Sequence, residues 1–206
     1  MMKLSLHLPL TVAIALMSVA HADLKAVPAP DERVAHFVLT GGVTYGGDTL
    51  ETANYTNGDS VDIKAGGLIQ LGAGLLLKMP DDPIALQLTA NYQWDGVKAK
   101  NGDATFSRVP LEATLFYTGV DRWRFGVGAR YVTSPHLHGL EDAGGQNIDF
   151  KSTTGALIDV GYRITPGFWV EGRYVFERYT PENTYYTTYT QKINANHAGI
   201  FATGIF

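Results

Sequence analysis

The chain has 206 residues, no cysteine and a formal net charge of −4 at pH 7, from 16 basic and 20 acidic side chains. This acidic balance argues against a nucleic-acid partner, which favours a basic surface. Without cysteine, neither a disulfide framework nor a lipid anchor attached through cysteine is expected. After the N-terminal region no run of about 18 apolar residues occurs, so no transmembrane helix is predicted there.

The N-terminal residues have the pattern of a secretory signal peptide. Lys3 gives a positive start, residues 4–19 are mostly apolar, and Ala-His-Ala over 20–22 is a small-x-small cleavage site. The apolar stretch is shorter than the roughly 20 residues that a membrane-spanning helix needs. The pattern predicts a signal peptide over 1–22 and a short periplasmic segment over 23–33.

Eight segments of alternating polarity follow. The clearest is 84–95, where Leu86 and Leu88 share one parity while Gln87 and Thr89 share the other. Because side chains alternate across a strand, this segment predicts a long strand with one apolar and one polar face. The predicted strands cover 34–46, 61–79, 84–95, 105–118, 122–133, 149–165, 168–179 and 192–206.

Short and long connections alternate between these strands. The short ones are 79–83, 119–121 and 165–167, and the long polar ones are 47–60, 96–104, 134–148 and 180–191. This rhythm is typical of transmembrane barrels, and each strand reaches the about 9–11 residues that cross a bilayer. We therefore predict an all-β fold, an eight-stranded antiparallel up-and-down transmembrane β-barrel over 34–206, with both termini periplasmic.

Aromatic residues fall near the two ends of the predicted strands, which predicts two girdles at the water–lipid interfaces. The proposed periplasmic girdle contains Tyr117, Trp123, Tyr162, Phe168 and Phe206. The proposed outer girdle contains Tyr45, Tyr92, Trp94, Phe106, Tyr131, Phe150 and Phe176.

With these features the chain resembles the small bacterial outer-membrane β-barrel proteins, a class that includes OmpA-like, OmpX-like and OmpW-like barrels. The Ala-His-Ala site, the eight alternating segments and a last strand that stops at Phe206 carry the resemblance. It implies an outer-membrane location with the loops outside, and contact with membrane lipid and lipopolysaccharide. It also implies that the barrel-assembly machinery reads Phe206 as an assembly signal. No cofactor is expected, and no subfamily is assigned.

Charged residues on the polar parity of the strands predict a filled lumen. Eight strands leave an interior about wide enough for side chains to fill, and buried charges of opposite sign must pair. The same residues could instead line a narrow channel for small polar solutes. The predicted lumen charge network consists of Lys64, Arg108, Glu112, Arg124, Arg130, Asp159, Arg163, Glu171, Arg173 and Glu177.

The long outer loops predict a role in envelope structure or surface interaction, with an extracellular ligand that the sequence does not identify. Exposed tyrosines bind partners at a low entropic cost. The loop that begins near 179 provides four candidates for such contacts, Tyr179, Tyr185, Tyr186 and Tyr189.

Two further alternatives stay open. A lipid A acyl-chain hydrolase would need a nucleophile and a base within hydrogen-bond reach, and the loop 134–148 contains Ser134, His136, His138, Glu141 and Asp142. Proximity within a loop favours a solvated loop, so we expect no enzyme, and two histidines without a clear third ligand predict no metal site. A soluble exported lipocalin-like binding barrel would need an apolar interior and a polar exterior.

Overall fold

The computed structural model describes residues 34–54, 59–78, 82–99, 102–139, 147–182 and 192–206. The signal peptide predicted over 1–22 and the segment 23–33 lie outside these residues. Within them, no helix is long and apolar enough to cross a membrane. The strands are β1 (Ala35–Gly46), β2 (Thr49–Asn54), β3 (Ser60–Lys64), β4 (Leu68–Lys78), β5 (Ile84–Ala99), β6 (Gly102–Val120), β7 (Trp123–His138), β8 (Ile148–Asp149), β9 (Thr153–Thr165), β10 (Phe168–Phe176), β11 (Arg178–Tyr179), β12 (Ile193–Asn194) and β13 (His197–Ile205).

Eight of these strands close into one antiparallel barrel. Around the wall the order is β1, β4, β5, β6, β7, β9, β10 and β13, and β13 pairs with β1 again. Closure satisfies the backbone groups along the wall and leaves no open sheet edge there. The predicted eight-stranded antiparallel barrel is therefore confirmed.

The polar faces of the barrel strands point inward and the apolar faces point outward. In β5, Gln87 and Asn91 are buried, whereas Leu88 and Tyr92 are 40% and 50% exposed. This is the orientation that the sequence pattern predicts for 84–95. Other outward apolar side chains include Phe37, Leu39, Val43, Leu75, Leu111, Leu115, Phe125, Val127, Ile158, Val160 and Ile200.

The two ends of the barrel differ in how the strands connect. At one end, which we call the short-turn end, the connections are 79–83, 121–122 and 166–167. At the other, the long-connection end, β1 and β4 are separated by 47–67, β7 and β9 by 139–152, and β10 and β13 by 177–196.

Much of what the sequence predicts as loop at the long-connection end is strand. The predicted loop 96–104 is an extended hairpin, since β5 runs to Ala99 and pairs there with Gly102 at the start of β6. Strand β2 pairs with β3, and the predicted strand 61–79 is divided into β3 and β4 by a turn at 65–66. Cross-strand pairing beyond the barrel wall therefore overrides the polar composition of these segments.

Strand β7 contains a bulge that changes which parity faces inward. Ser107 pairs with His136 and Val109 pairs with Thr133, so β7 has one extra residue in this interval. Ser134 has a φ of 50° within it. Before the bulge Arg130 and Val132 are buried on the even parity, and after it Pro135 and Leu137 are buried on the odd parity. His136 consequently points outward.

Outward aromatic rings lie near both ends of the barrel. Trp123 and Tyr162 are in contact at 5.0 Å between ring centroids at the short-turn end, and Tyr92 and Trp94 are 5.5 Å apart nearer the long-connection end. The assignment of Phe106 and Phe150 to the predicted outer girdle is wrong, because both side chains are buried in the interior of the protein. Phe106 shares the parity of the inward Arg108, and Phe150 precedes the irregular residues 151–152 that interrupt the alternation before β9.

Candidate functional site

The middle of the barrel interior contains a connected network of charged side chains. Arg130 is at its centre: its Nη1 donates to Glu112 Oε1 at 2.7 Å and its Nε lies 3.0 Å from Glu177 Oε2. Nη2 of Arg130 donates to Gln93 Oε1 at 2.5 Å, and Gln93 Oε1 also accepts from Nε of Arg108 at 3.2 Å. These residues come from β5, from β6 and from the position just after β10, so the network connects opposite parts of the barrel across the lumen.

A second arginine extends the network toward the short-turn end. Arg173 Nη1 donates to Glu112 Oε2 at 2.8 Å, and Arg173 Nε donates to Asp159 Oδ2 at 2.9 Å. Arg173 Nη2 is 3.7 Å from Glu171 Oε2, and Glu171 also forms a buried ion pair with Arg124. Eight of the ten predicted residues are thus brought into one continuous buried cluster, with four arginines and four carboxylates: Arg108, Arg124, Arg130, Arg173, Glu112, Asp159, Glu171 and Glu177.

Two residues of the predicted lumen network lie elsewhere. Lys64 is on β3, which is not one of the eight barrel strands, and its Nζ donates to Thr49 Oγ1 at 3.0 Å. Arg163 is at the short-turn end of β9, with its side chain 44% exposed, and it donates to Asp121 at 3.1 Å. Lys64 shares the inward parity of β4 but precedes the turn that separates β3 from β4, and in β3 it is Ile63 that is buried. Arg163 has the inward parity of β9 but follows its last buried position.

An apolar cluster fills the interior above the charges, at the long-connection end. Phe106, Phe150 and Tyr179 pack with ring centroids 5.7–5.9 Å apart. Tyr179 is fully buried and its hydroxyl donates to Glu177 Oε1 at 2.6 Å, so this ring joins the apolar cluster to the charge network. The other members, drawn from the barrel strands and from the connections, are Leu50, Ile63, Ala65, Val97, Ala104, Val132, Leu137, Ile148, Ile193 and Ala195.

Apolar side chains also close the interior below the charges. Val38, Leu76 and Ala85 form a buried cluster with Ile205 packed against it. Buried aromatic rings contact the arginines on this side, with the Arg124 guanidinium 4.2 Å from the Phe116 ring centroid and the Arg173 guanidinium 4.4 Å from that of Phe201. The interior is therefore layered, with charges in the middle and apolar side chains on both sides.

Inward glycines make room for these large side chains. A Cβ at Gly161 would meet the side chains of Arg124 and Glu171, and a Cβ at Gly126 would meet Phe116. At the outward Gly172 a Cβ would meet nothing within 4 Å. The inward glycines thus leave space that arginine, glutamate and phenylalanine already occupy, which is the close packing expected of a protein interior.

Sequence reasoning missed the apolar cluster at the long-connection end, although a signal for it exists. Val97, Ala104, Phe106 and Val132 all continue the polar parity of their strands, but they are apolar and lie beyond the last charged residue. Apolar residues on the inward parity near the strand end indicate a closed mouth, because an aqueous pore would keep polar residues there.

The structure places one of the four predicted contact tyrosines, and it places the C-terminal Phe206. Tyr179 is not a surface contact, because the cluster buries it completely, while Tyr185, Tyr186 and Tyr189 lie outside the described residues. Phe206 is 44% exposed beside Phe37 and exchanges two backbone hydrogen bonds with it. Its role as an assembly signal stays a prediction.

Three residues of the predicted loop site lie on a strand. Ser134, His136 and His138 lie on the outer part of β7, and Glu141 and Asp142 lie outside the described residues. His136 Nδ1 is 2.6 Å from Asp149 Oδ1 on β8. In the described part of the chain, no group of three His, Cys, Asp or Glu side chains could hold a metal ion.

Comparison with known proteins adds structural likenesses only. No protein-family model and no curated protein matches the chain. It is similar to Neisserial surface protein A at 13% identity, with 84% of this chain and 96% of that chain covered and a TM-score of 0.45. It is similar to Ail, the attachment invasion locus protein of Yersinia pestis, at 10% identity, 84% and 97% coverage and a TM-score of 0.45. It is also similar to the outer membrane channel DcaP of Acinetobacter baumannii at 14% identity, with 75% of this chain and 49% of that chain covered and a TM-score of 0.35.

Proposed function

We propose that this chain is an integral outer-membrane β-barrel with a closed lumen, which serves envelope structure or surface interaction through its long-connection end. The layered interior is the observation that carries the proposal. Three buried arginines contact carboxylates, and apolar clusters lie on both sides of them. A lumen filled in this way supports a structural or recognition role over transport.

The exterior supports the membrane location. Val127 and Ile200 are 61% and 65% exposed although both are aliphatic. An apolar surface that encircles a barrel, with aromatic rings near its two ends, is the surface that lipid requires. A soluble lipocalin-like barrel would have the opposite arrangement, with its apolar face inside.

The membrane location can be tested with single cysteines, since the chain has none of its own. Leu88 faces outward and the adjacent Thr89 is buried inside. We expect a fluorophore on Leu88→Cys to be quenched by brominated lipid, and Thr89→Cys to react poorly and to be quenched less. Equal quenching at both positions would overturn the proposed orientation.

The proposal also includes the direction of insertion, with the long-connection end outside the cell. Val61 on β3 and Asp121 in a short turn are both exposed, at opposite ends of the barrel. A membrane-impermeant maleimide should label Val61→Cys on intact cells and Asp121→Cys only after lysis. The reverse pattern would contradict the orientation.

A narrow channel is the second candidate, and one observation favours it. Asn91 Oδ1, Arg124 Nε and Asp159 Oδ1 are buried without a hydrogen-bond partner in the described residues. Because buried polar atoms usually have a hydrogen-bond partner, such atoms favour hydration of the lumen. Proteoliposome swelling in small sugars separates the two candidates: a closed barrel gives the rate of empty liposomes, and a channel gives faster swelling.

A further inference from the structure

Three strands bring a serine, a histidine and an aspartate side by side on the outer surface of the barrel. In the strand register His136 of β7 is opposite Ser107 of β6 on one side and opposite Asp149 of β8 on the other. Ser107 lies between the buried Phe106 and Arg108, and His136 lies between the buried Pro135 and Leu137. Alternation therefore directs both side chains outward, and Asp149 is exposed beside them.

The histidine ring is oriented by the aspartate. His136 Nδ1 is 2.6 Å from Asp149 Oδ1. Asp149 is itself fixed to β7, because the next residue, Phe150, donates its N–H to the carbonyl of Pro135 at 2.9 Å. The two nitrogens of an imidazole lie on opposite sides of the ring axis, so when Nδ1 faces β8, Nε2 lies on the side of β6. A carboxylate on Nδ1 with the serine on the Nε2 side is the arrangement that activates a serine hydroxyl.

The strand register places Ser107 directly opposite His136. Side chains directly opposite each other on antiparallel strands have Cβ atoms about 4.5–5.5 Å apart, and Ser107 has that relation to His136. A rotation about the serine χ1 then brings its Oγ toward the ring. Nucleophile–base hydrogen bonds are often longer before substrate binds, so register is the stronger criterion here.

The β7 bulge creates this alignment. Without the extra residue at Ser134–Pro135, His136 would keep the even parity of Arg130 and would point into the lumen. Ser134 is held at a φ of 50°, in the left-handed region that non-glycine residues seldom adopt. Bulges and strained residues concentrate near functional sites because they redirect side chains.

We propose that Ser107, His136 and Asp149 form a hydrolytic site for carboxylic esters of amphipathic lipids. Ser107 Oγ attacks the ester carbonyl while His136 Nε2 accepts its proton. The alcohol leaves with that proton, and an acyl-serine remains. Water, deprotonated by His136, then releases the carboxylic acid and regenerates Ser107, so one ester and one water give one acid and one alcohol. His136 and Ser107 are the catalytic residues, and Asp149 is a positioning residue.

The place of the site indicates the class of substrate. Ser107 is opposite Trp94 on β5 as well as His136 on β7. The Trp94 ring contacts that of Tyr92, which faces outward, and outward aromatic rings mark the level of a water–lipid interface. At that level the ester bonds of a membrane lipid come within reach of an outward serine. The proposal departs from the sequence-based expectation of no enzyme, and it replaces Ser134 with Ser107 as the nucleophile.

A fluorophosphonate probe tests the nucleophile directly, because serine attack on phosphorus displaces fluoride and leaves a stable label. With the full barrel folded in detergent micelles, we expect labelling of the wild type and of Ser134→Ala, and none of Ser107→Ala or His136→Ala. Heat-modifiable gel migration confirms that each variant is folded. An unlabelled wild type, or Ser107→Ala labelled like the wild type, would overturn the proposal.

The positioning role of Asp149 needs a separate measurement, one whose result would not change if Asp149 were only structural. Hydrolysis of p-nitrophenyl butyrate and p-nitrophenyl laurate should show a kcat at least tenfold lower in Asp149→Asn with KM unchanged. The laurate ester should be the better substrate if the site serves lipids. An unchanged kcat in Asp149→Asn would contradict the assignment of this residue, and a preference for butyrate would contradict the lipid class.

Discussion

Replacing Arg130 by methionine tests the energetic importance of the charge network. Arg130 contacts Glu112 at 2.7 Å and Glu177 at 3.0 Å, and its side chain has no exposed surface. Methionine keeps most of the apolar stem but leaves Glu177 without its ion-pair partner. Because removing one member of a buried ion pair leaves an uncompensated charge, we expect a loss of about 3–5 kcal/mol in the free energy of unfolding.

The measurement is urea unfolding of the barrel in lipid vesicles, followed by tryptophan fluorescence. Arg163→Met is the matched control: its pair with Asp121 is 3.1 Å long but exposed, so its loss should be within about 0.2–1 kcal/mol. The double variant Arg130→Met with Glu177→Gln should recover part of the stability, since the unpaired charge is then removed. Equal losses in Arg130→Met and Arg163→Met would refute the reasoning.

Three further predictions use the same structure. Gly161→Val should lower the free energy of unfolding by about 1–3 kcal/mol, because the added side chain overpacks the lumen. Gly172→Val, at an open outward position, should unfold at the wild-type urea concentration. Equal urea midpoints for the two variants would contradict the packed interior. Phe106→Ala, in the buried aromatic cluster, should lose about 3–5 kcal/mol in the same assay, and a loss below about 1 kcal/mol would place the ring outside the core. The hydrogen bond from Thr52, at 2.8 Å, is the main cause that lowers the pKa of Asp62 below its usual value, with Lys64 contributing. A lowered carboxyl pKa stabilises the β2–β3 pair above the unfolded pKa, and this contribution disappears as the pH falls through the folded pKa; carboxyl NMR titration should show the Asp62 pKa rising in Thr52→Val, and an unchanged titration would contradict this cause.

The barrel could be predicted from sequence because lipid and the lumen impose opposite chemistries on alternate residues. Along β5 the inward Gln87, Thr89 and Asn91 and the outward Leu88 and Tyr92 follow this rule without interruption. The central charges follow the same rule, so Arg124, Arg130 and Glu112 could be assigned to the interior from parity. The identity of their partners could not, because it depends on which strands face each other across the lumen.

The features that could not be predicted depend on strand register and on breaks in the alternation of polar and apolar residues. The bulge at Ser134–Pro135 reverses the parity of β7. Pro135 indicates an irregularity there, but it does not show that one extra residue is inserted or which side chains then face outward. The juxtaposition of Ser107 with His136 follows from that register alone. The prediction places Lys64 in the lumen because it runs one strand through 61–79, whereas the chain turns at 65–66, where Gly66 and Gly67 mark the break.

Single-channel recording in a planar bilayer tests the closed lumen most directly. The reconstituted wild-type barrel should give no steady ion-selective openings, because apolar clusters close the interior on both sides of the charge network. Folding of the inserted protein is checked by heat-modifiable migration. Steady openings of uniform conductance would contradict the closed lumen and would establish the channel instead.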